Sequence, residues 1–242
     1  RLLKITKRLK NENYFDLENE IKSVLDDFMF VAEKQLKSGS TLYRSRVGFE
    51  GMEVDYGMGF ESENHYIPFS GSKISAPIPC IVGSGRVNRA GVSFLYCATD
   101  KHTSIAEVRP HPGDHVSIGK FILNKDVQVY DFSENQLINF SSSDRELDSY
   151  KAFNTLGVLI HKTVPPSDKQ FYSITQLIAD CIRQIGFDGI SFSSSVGRGI
   201  NYVFFNPNLA TYSNEESEVV EIKKVSYEYE SAPLVQENGI YK

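Results

Sequence analysis

Gly85-Arg86-Val87-Asn88-Arg89-Ala90-Gly91, followed by the apolar run from Val92 to Ala98 and by Thr103-Ser104-Ile105-Ala106-Glu107-Val108-Arg109-Pro110, is the stretch whose reading decides the fold. It reads as a glycine-flanked basic turn, a buried strand carrying Tyr96, and a short helix carrying Glu107. Tyr96 and Glu107 lie 11 positions apart (107 − 96). The end of a strand and the helix after it can therefore bring a phenol and a carboxylate to one cleft that also receives the Arg86 guanidinium. Such a grouping suits an anionic ligand that contains ribose.

Outward from this stretch the signals are mixed. Upstream, Tyr14, Leu17, Ile21, Val24, Phe28 and Val31 recur at steps of three and four, which predicts a long amphipathic helix from Tyr14 to Leu36. Its apolar seam needs a cover: the main domain, a second protomer in a homo-oligomer, or a helix further upstream. Leu2, Ile5 and Leu9 suggest an earlier helix broken near Asn11 to Asn13, and Lys37-Ser38-Gly39-Ser40 ends the helical part. The chain is thus expected to divide into a helical segment at 1–38 and a main domain at 39–242. Its first residue is Arg, as in a chain that begins inside a longer protein.

In the main part, Leu42 to Val47, Val92 to Ala98, Val116 to Leu123, Val127 to Phe132, Gly189 to Phe192, Tyr202 to Phe205 and Val219 to Tyr229 are rich in β-branched and aromatic residues and read as strands. Helices interrupt them. Ser143 with Glu146 reads as a capping box opening a helix through Phe153 and Leu156, and Ser173 with Gln176 as another, through Cys181 and Ile185 to Gly186. The segment from Phe49 to Pro79 has little periodicity and reads as a long functional loop or lid. The fold class is α+β.

Composition narrows the function. With 242 residues, 40% of them hydrophobic, the chain can bury one good core. It has no apolar run of the roughly 18 residues that a transmembrane helix needs, and its basic, amphipathic start lacks the apolar core of a signal peptide. A net charge of −5 argues against general nucleic-acid binding, which needs a positive field to release counterions. Cys80, Cys97 and Cys181 have no metal or redox spacing, which points to a reducing, cytoplasmic setting. His111 and His115 are separated by Pro112 and Gly113, so the helix that would align them as ligands is not expected, and neither is a metal.

Several residues are candidates for chemistry. Arg86 has glycines at 83, 85 and 91 that let backbone approach a phosphate, which a guanidinium grips in bidentate fashion; the alternative is a plain surface turn. Arg44 on the early strand is either such a contact or a salt-bridged surface residue. Tyr96 is a pocket residue or a core aromatic. Glu107 lies beside apolar packing, where a carboxylate needs a ligand or a cation such as Arg109. Late in the chain, a strand runs into Ser193-Ser194-Ser195-Val196-Gly197-Arg198-Gly199 and returns through Asn201 and Tyr202, offering hydroxyls and amides for phosphate or ribose oxygens. The loop lacks the lysine of a Walker-type phosphate loop.

Together these residues resemble the RES-domain family, named for an arginine, a glutamate and a serine. The resemblance runs from about Leu42 to Pro207 and is densest over 85–91, 95–98, 103–107 and 187–190. By position it makes Arg44 the early arginine, Arg86 the turn arginine, Tyr96 the pocket tyrosine, Glu107 the glutamate, Ser194 the serine and Asn201 a late asparagine. Two places depart from the family's habit: Val87 stands where tryptophan usually follows the turn arginine, and Ser191-Phe192-Ser193-Ser194 where Arg-Tyr-Pro-Ser is common. Ser193, Ser194 and Ser195 therefore all stay candidates for the pocket position.

The resemblance implies a split-sheet core related to ADP-ribosyltransferases, and a bacterial toxin neutralised by a cognate antitoxin. NAD would be its substrate rather than its cofactor. Most members split off nicotinamide, with water or phosphate as acceptor, and some transfer ADP-ribose to a protein. In that scheme Glu107 would be catalytic, stabilising the oxocarbenium-like ribose. Arg44 and Arg86 would hold the pyrophosphate, Tyr96 would pack on nicotinamide or ribose, Arg44 and Tyr96 counting with Glu107 as catalytic, while Ser194 would donate a hydrogen bond and Asn201 would be a further binding residue. A catalytically silent nucleotide- or partner-binding module is the alternative from another class.

Overall fold

Alternation of side chains along each strand organises the protein around one sheet with a different cover on each face. In the computed structural model, residues 8, 13–56, 62–133, 144–161, 172–229 and 231 are described. The elements in chain order are α1 (Tyr14–Asp27), α2 (Met29–Ala32), β1 (Glu33–Leu36), β2 (Thr41–Val47), β3 (Gly51–Tyr56), β4 (Ser62–Ile67), β5 (Leu95–Ala98), α3 (Lys101–Glu107), β6 (His115–Leu123) and β7 (Val127–Asp131). They continue with α4 (Asp144–His161), α5 (Tyr172–Gln184), β8 (Gly189–Ser193), β9 (Ile200–Phe204) and β10 (Ala210–Glu221). The fold is α+β, as expected.

The large sheet has the order β1-β7-β8-β9-β5-β2-β6-β10, and β3 and β4 form a separate ribbon. All its neighbours run antiparallel except β7 and β8, whose parallel pairing demands the long crossover that α4 and α5 occupy. Gly189 begins β8 because a side chain there would meet the Val203 carbonyl oxygen at 2.4 Å. Successive residues of one strand serve opposite faces. Tyr130, Ile190, Phe192 and Val203 pack with α1, α4 and α5, while Val129, Leu95, Cys97, Phe204 and Phe121 form a second core with Leu42, Ile74 and Leu209.

The sheet is nearly split at its middle. β2 pairs with β6 along its whole length, from Thr41↔Ile122 to Val47↔Val116, but with β5 only at Tyr43↔Ala98. Beyond that pair the two halves part.

Four expectations are corrected. The helix predicted from Tyr14 to Leu36 ends at Asp27, is followed by the single turn α2, and gives way to a strand at Glu33–Leu36 that pairs with β7. Its lysine explains the change: Lys34 Nζ lies 3.2 Å from Asp131 Oδ2, a carboxylate that is almost fully buried, so extended backbone here places a cation where the core needs one. The expected loop from Phe49 to Pro79 contains the β3–β4 ribbon. The strand expected from Val92 begins only at Leu95, because Asn88 engages the Val92 carbonyl in the preceding turn. The terminal strand lies at Ala210–Glu221 rather than Val219 to Tyr229, paired with β6 across a register shift between Ser213 and Glu218. The early-helix residues Leu2, Ile5 and Leu9 lie outside the described residues.

The α1 seam is covered within the chain. Leu17, Ile21, Val24, Leu25 and Phe28 join Leu177, Ile178, Cys181 and Ile182 of α5 in one core, and the Tyr130 hydroxyl donates to the Leu25 carbonyl at 3.1 Å. Among the described residues no helix is long and apolar enough to cross a membrane.

Phe28 tests this packing. It is buried, with its ring tilted against Phe153 at 5.5 Å between centroids. Phe28→Ala should lower unfolding stability by about 3 kcal/mol in a urea titration, as for other large-to-small core changes. An unshifted midpoint would mean that the Phe28 ring adds no packing energy.

Candidate functional site

Where β2 and β5 part, a cleft of about 380 Å3 opens, lined among others by Arg44, Arg86, Tyr96, Glu107, Arg109, Phe192 and Asn201. Arg44 spans the gap. Its Nε donates to the Ile74 carbonyl at 2.9 Å and its Nη1 to the Tyr96 carbonyl at 3.0 Å, so this guanidinium ties β2 to the neighbouring strand where the ladder does not. Burial pushes its pKa down from the ordinary value, yet an arginine remains a cation.

The Arg86 turn is held by amides. Buried Asn88 aims Nδ2 at the carbonyls of Gly83, Arg89 and Val92 at 3.0, 3.1 and 3.1 Å, while its Oδ1 accepts the Tyr96 hydroxyl proton at 2.8 Å. From α5, Gln176 Nε2 reaches the carbonyls of Gly85 at 2.8 Å and Asn88 at 3.0 Å, and Thr175 Oγ1 donates to the Arg86 carbonyl. Gly85 is required, since a Cβ there would stand 2.2 Å from Asn88 Oδ1. With its backbone fixed, Arg86 lays its guanidinium over the Phe192 ring at 5.4 Å and donates from Nη1 to the Ile160 carbonyl at 3.3 Å. Burial raises the Tyr96 pKa well above the ordinary phenol value, so its hydroxyl stays protonated and serves as donor to Asn88.

Glu107 sits at the end of α3. Asp100 caps that helix, accepting from the Thr103 amide and hydroxyl, each at 2.8 Å. Burial raises the Asp100 pKa, but these bonds and one from Thr99 outweigh it and leave the carboxyl below its ordinary value. Glu107 Oε1 accepts from Ser194 Oγ at 2.7 Å and from Asn201 Nδ2 at 2.6 Å. Ser194 Oγ accepts in turn from the amides of Gly197 at 2.9 Å and Val196 at 3.2 Å, which leaves its own proton for Glu107. Among the described residues no cation pairs with Glu107. Its charge is held by neutral donors and is not cancelled.

The structure thus brings Arg44, Arg86, Tyr96, Glu107 and Asn201 to one cleft, with Ser194 against the glutamate. Of the three candidate serines, Ser193 turns away to donate to the Ser133 carbonyl and Ser195 is exposed, leaving Ser194. Three of the loop amides are already taken, those of Val196 and Gly197 by Ser194 and that of Gly199 by Thr103 Oγ1. Three residues of the clamp on the Arg86 turn were missed, Thr175 among them. Asn88 stood inside the quoted turn without a role, and Gln176 was read as half of a capping box, whereas α5 begins at Tyr172 and Gln176 crosses to the turn. The tight glycine spacing around Asn88 was the available signal for that residue; only packing reveals the other two.

Residues 58–227 match the RES domain family, and the chain belongs to it. The matched stretch contains Arg86, Tyr96, Glu107, Ser194 and Asn201, while Arg44 lies upstream of it. A search of the curated proteins finds no match. Among solved structures, the crystal structure of the M. tuberculosis MbcT–MbcA toxin–antitoxin complex is similar at a TM-score of 0.43 and 12% identity, over 84% of this chain and 92% of that one.

The thiols give a check on the cleft wall. Burial pushes Cys97, which lines the cleft, and Cys181, beneath α1, each up to about 12, whereas Cys80 is exposed. A raised pKa keeps both buried groups as unreactive thiols at pH 8. Ellman titration at that pH should therefore find one fast thiol in the native protein and all three in urea. Rapid modification of two or three thiols in the native protein would contradict the packing described.

Proposed function

We propose that the chain is an NAD-consuming enzyme that breaks the bond between nicotinamide and ribose, with water or inorganic phosphate as acceptor. The observation that supports this reading best is the Glu107 carboxylate, anchored through Oε1 by Ser194 and Asn201 and uncompensated by any described cation, in a cleft shared with Arg44 and Arg86. Departure of nicotinamide takes the bonding electron pair with it and leaves positive charge on the ribose. A fixed, uncancelled carboxylate lowers the energy of that charge as it develops. Nicotinamide leaves as a neutral group, so the step needs no general acid. The acceptor oxygen then bonds to the anomeric carbon and releases its proton to solvent or to Glu107.

The two arginines have different duties in this scheme. Arg86, with its backbone clamped and its guanidinium over Phe192, is the main contact for the pyrophosphate. Arg44 adds positive charge from the cleft floor while holding the sheet opening in place. The membership in the RES family supports a role as a bacterial toxin or defence effector acting in the cytoplasm, with a cognate antitoxin as partner.

Incubating the purified protein with NAD, with and without phosphate, should yield free nicotinamide together with ADP-ribose or its phosphate ester. ADP-ribose appearing only on a protein would instead identify a transferase, and intact NAD would refute the proposal. Glu107→Gln should keep its fold, because the amide oxygen still accepts from Ser194 and Asn201, and lose turnover by about a hundredfold or more. Equal turnover in a folded Glu107→Gln variant would remove the mechanism.

Arginine variants separate the two duties. Arg86→Ala should weaken NAD binding about tenfold or more in calorimetry with little change in melting temperature. Arg44→Ala should do both, since it orphans the Ile74 and Tyr96 carbonyls and costs about 2 kcal/mol of stability. Identical melting curves for Arg44→Ala and the wild type would show that the bridge carries no load.

A further inference from the structure

We propose that Arg109 is a further ligand-binding residue of this cleft, a guanidinium that grips a phosphate group. Arg109 lines the cleft two positions after Glu107, and its side chain is exposed. That side chain makes no hydrogen bond, ion pair or ring contact among the described residues, in contrast to those of Arg44 and Arg86, each partly spent on backbone carbonyls. Glu107, the nearest carboxylate in sequence, takes its hydrogen bonds from Ser194 and Asn201 instead. Among the described residues nothing takes the donors of the Arg109 fork, which leaves them for a ligand.

The backbone adds a second observation. Arg109 follows the last turn of α3 with φ at +48°, the left-handed position after a helix that glycine or asparagine normally fills. An arginine there is strained, and among the described residues its side chain has no contact that repays the strain. The left-handed turn does have one effect: it ends the helix and brings the residue to the cleft mouth rather than continuing around the α3 axis. Charge points the same way. Arg44, Arg86 and Arg109 against Glu107 leave the cleft positive, which suits a ligand carrying at least two negative charges.

Two sources of phosphate fit one guanidinium at this place: the pyrophosphate of the dinucleotide, or an inorganic phosphate brought in as acceptor. The inference rests on reading the cleft as a nucleotide site, and binding measured apart from turnover separates the two. ADP-ribose and inorganic phosphate are titrated by calorimetry into the wild type, Arg109→Ala, Arg109→Lys and Arg109→Gly. Arg109→Ala and Arg109→Gly should weaken one of the two ligands about tenfold, and Arg109→Lys should recover only part of the loss.

The ligand affected names the source. For the pyrophosphate, KM for NAD rises with kcat nearly unchanged; for the acceptor, the phosphate dependence of the rate shifts instead. Arg109→Gly should melt no lower than the wild type, because glycine relieves the left-handed strain. Wild-type affinity for both ligands in Arg109→Ala overturns the inference, as does a lowered melting temperature in Arg109→Gly, which would mark a structural role. Binding without any NAD cleavage by the wild type would leave Arg109 in place and remove the proposed reaction. Absence of binding of either ligand to the wild type would remove both.

Discussion

The rest of the structure depends on the place where β2 and β5 separate. A continuous ladder there would have satisfied the backbone and closed the surface. Instead the strands meet at the single pair Tyr43↔Ala98, and the Arg44 guanidinium reaches across to the Ile74 and Tyr96 carbonyls. The long charged side chain substitutes for part of a ladder, which stabilises an opening that the backbone alone would not hold. It also sets a cation in the floor of the cleft. Stability and ligand recognition are thus combined in one residue.

Two further networks complete the walls, and both hold a charged group by means of neutral ones. On one side, Asn88, Gln176 and Thr175 clamp the turn that carries Arg86, and the Tyr96 hydroxyl is drawn into the same clamp. On the other, Ser194 and Asn201 hold one oxygen of Glu107, with the Ser194 loop seated on the Thr103 hydroxyl by way of Gly199. A side chain at Gly199 would lie 2.1 Å from Asp100 Oδ2, so the loop can approach the α3 N-terminus only as glycine. Neutral partners fix geometry without cancelling charge. That distinction separates a carboxylate available for electrostatic work from one consumed in a salt bridge, as Asp131 is by Lys34.

The α+β class, most of the strands and the basic turn were legible because each rests on local pattern: period-two burial, β-branched composition, and glycines around an arginine. So were the candidates for the site, since Arg86, Tyr96 and Glu107 lie within one short stretch. The end of α1 was not legible. The apolar seam already stops at Val31, since the next positions in step are Lys34 and Gln35, but nothing local announces a strand there; residues 33–36 extend because β7 offers an edge and Asp131 a buried carboxylate. Tertiary pairing overrides a weak local preference there. The β3–β4 ribbon was overlooked although Met52, Val54 and Tyr56 alternate with Glu53 and Asp55 along β3, because its partner β4, which opens Ser62-Glu63-Asn64-His65, carries no such pattern and pairing is what makes the two a ribbon.

The sequence by itself determined which chemical groups are present and which elements carry them, because side-chain period and turn chemistry act over a few residues. Only the tertiary structure decided what each group does with its hydrogen bonds. Arg44 and Ser194 were read as ligand contacts, and the fold shows them also bracing a sheet opening and a carboxylate, with partners 30 and 87 residues away. Gln176, placed on a helix by its sequence, reaches a turn 91 residues earlier. The side chain of Arg109, one of the alternatives weighed as a partner for Glu107, is left unengaged among the described residues, and neutral donors hold Oε1 of that carboxylate instead. Such outcomes are competitions between distant donors and acceptors, settled by distance and burial once the chain has folded.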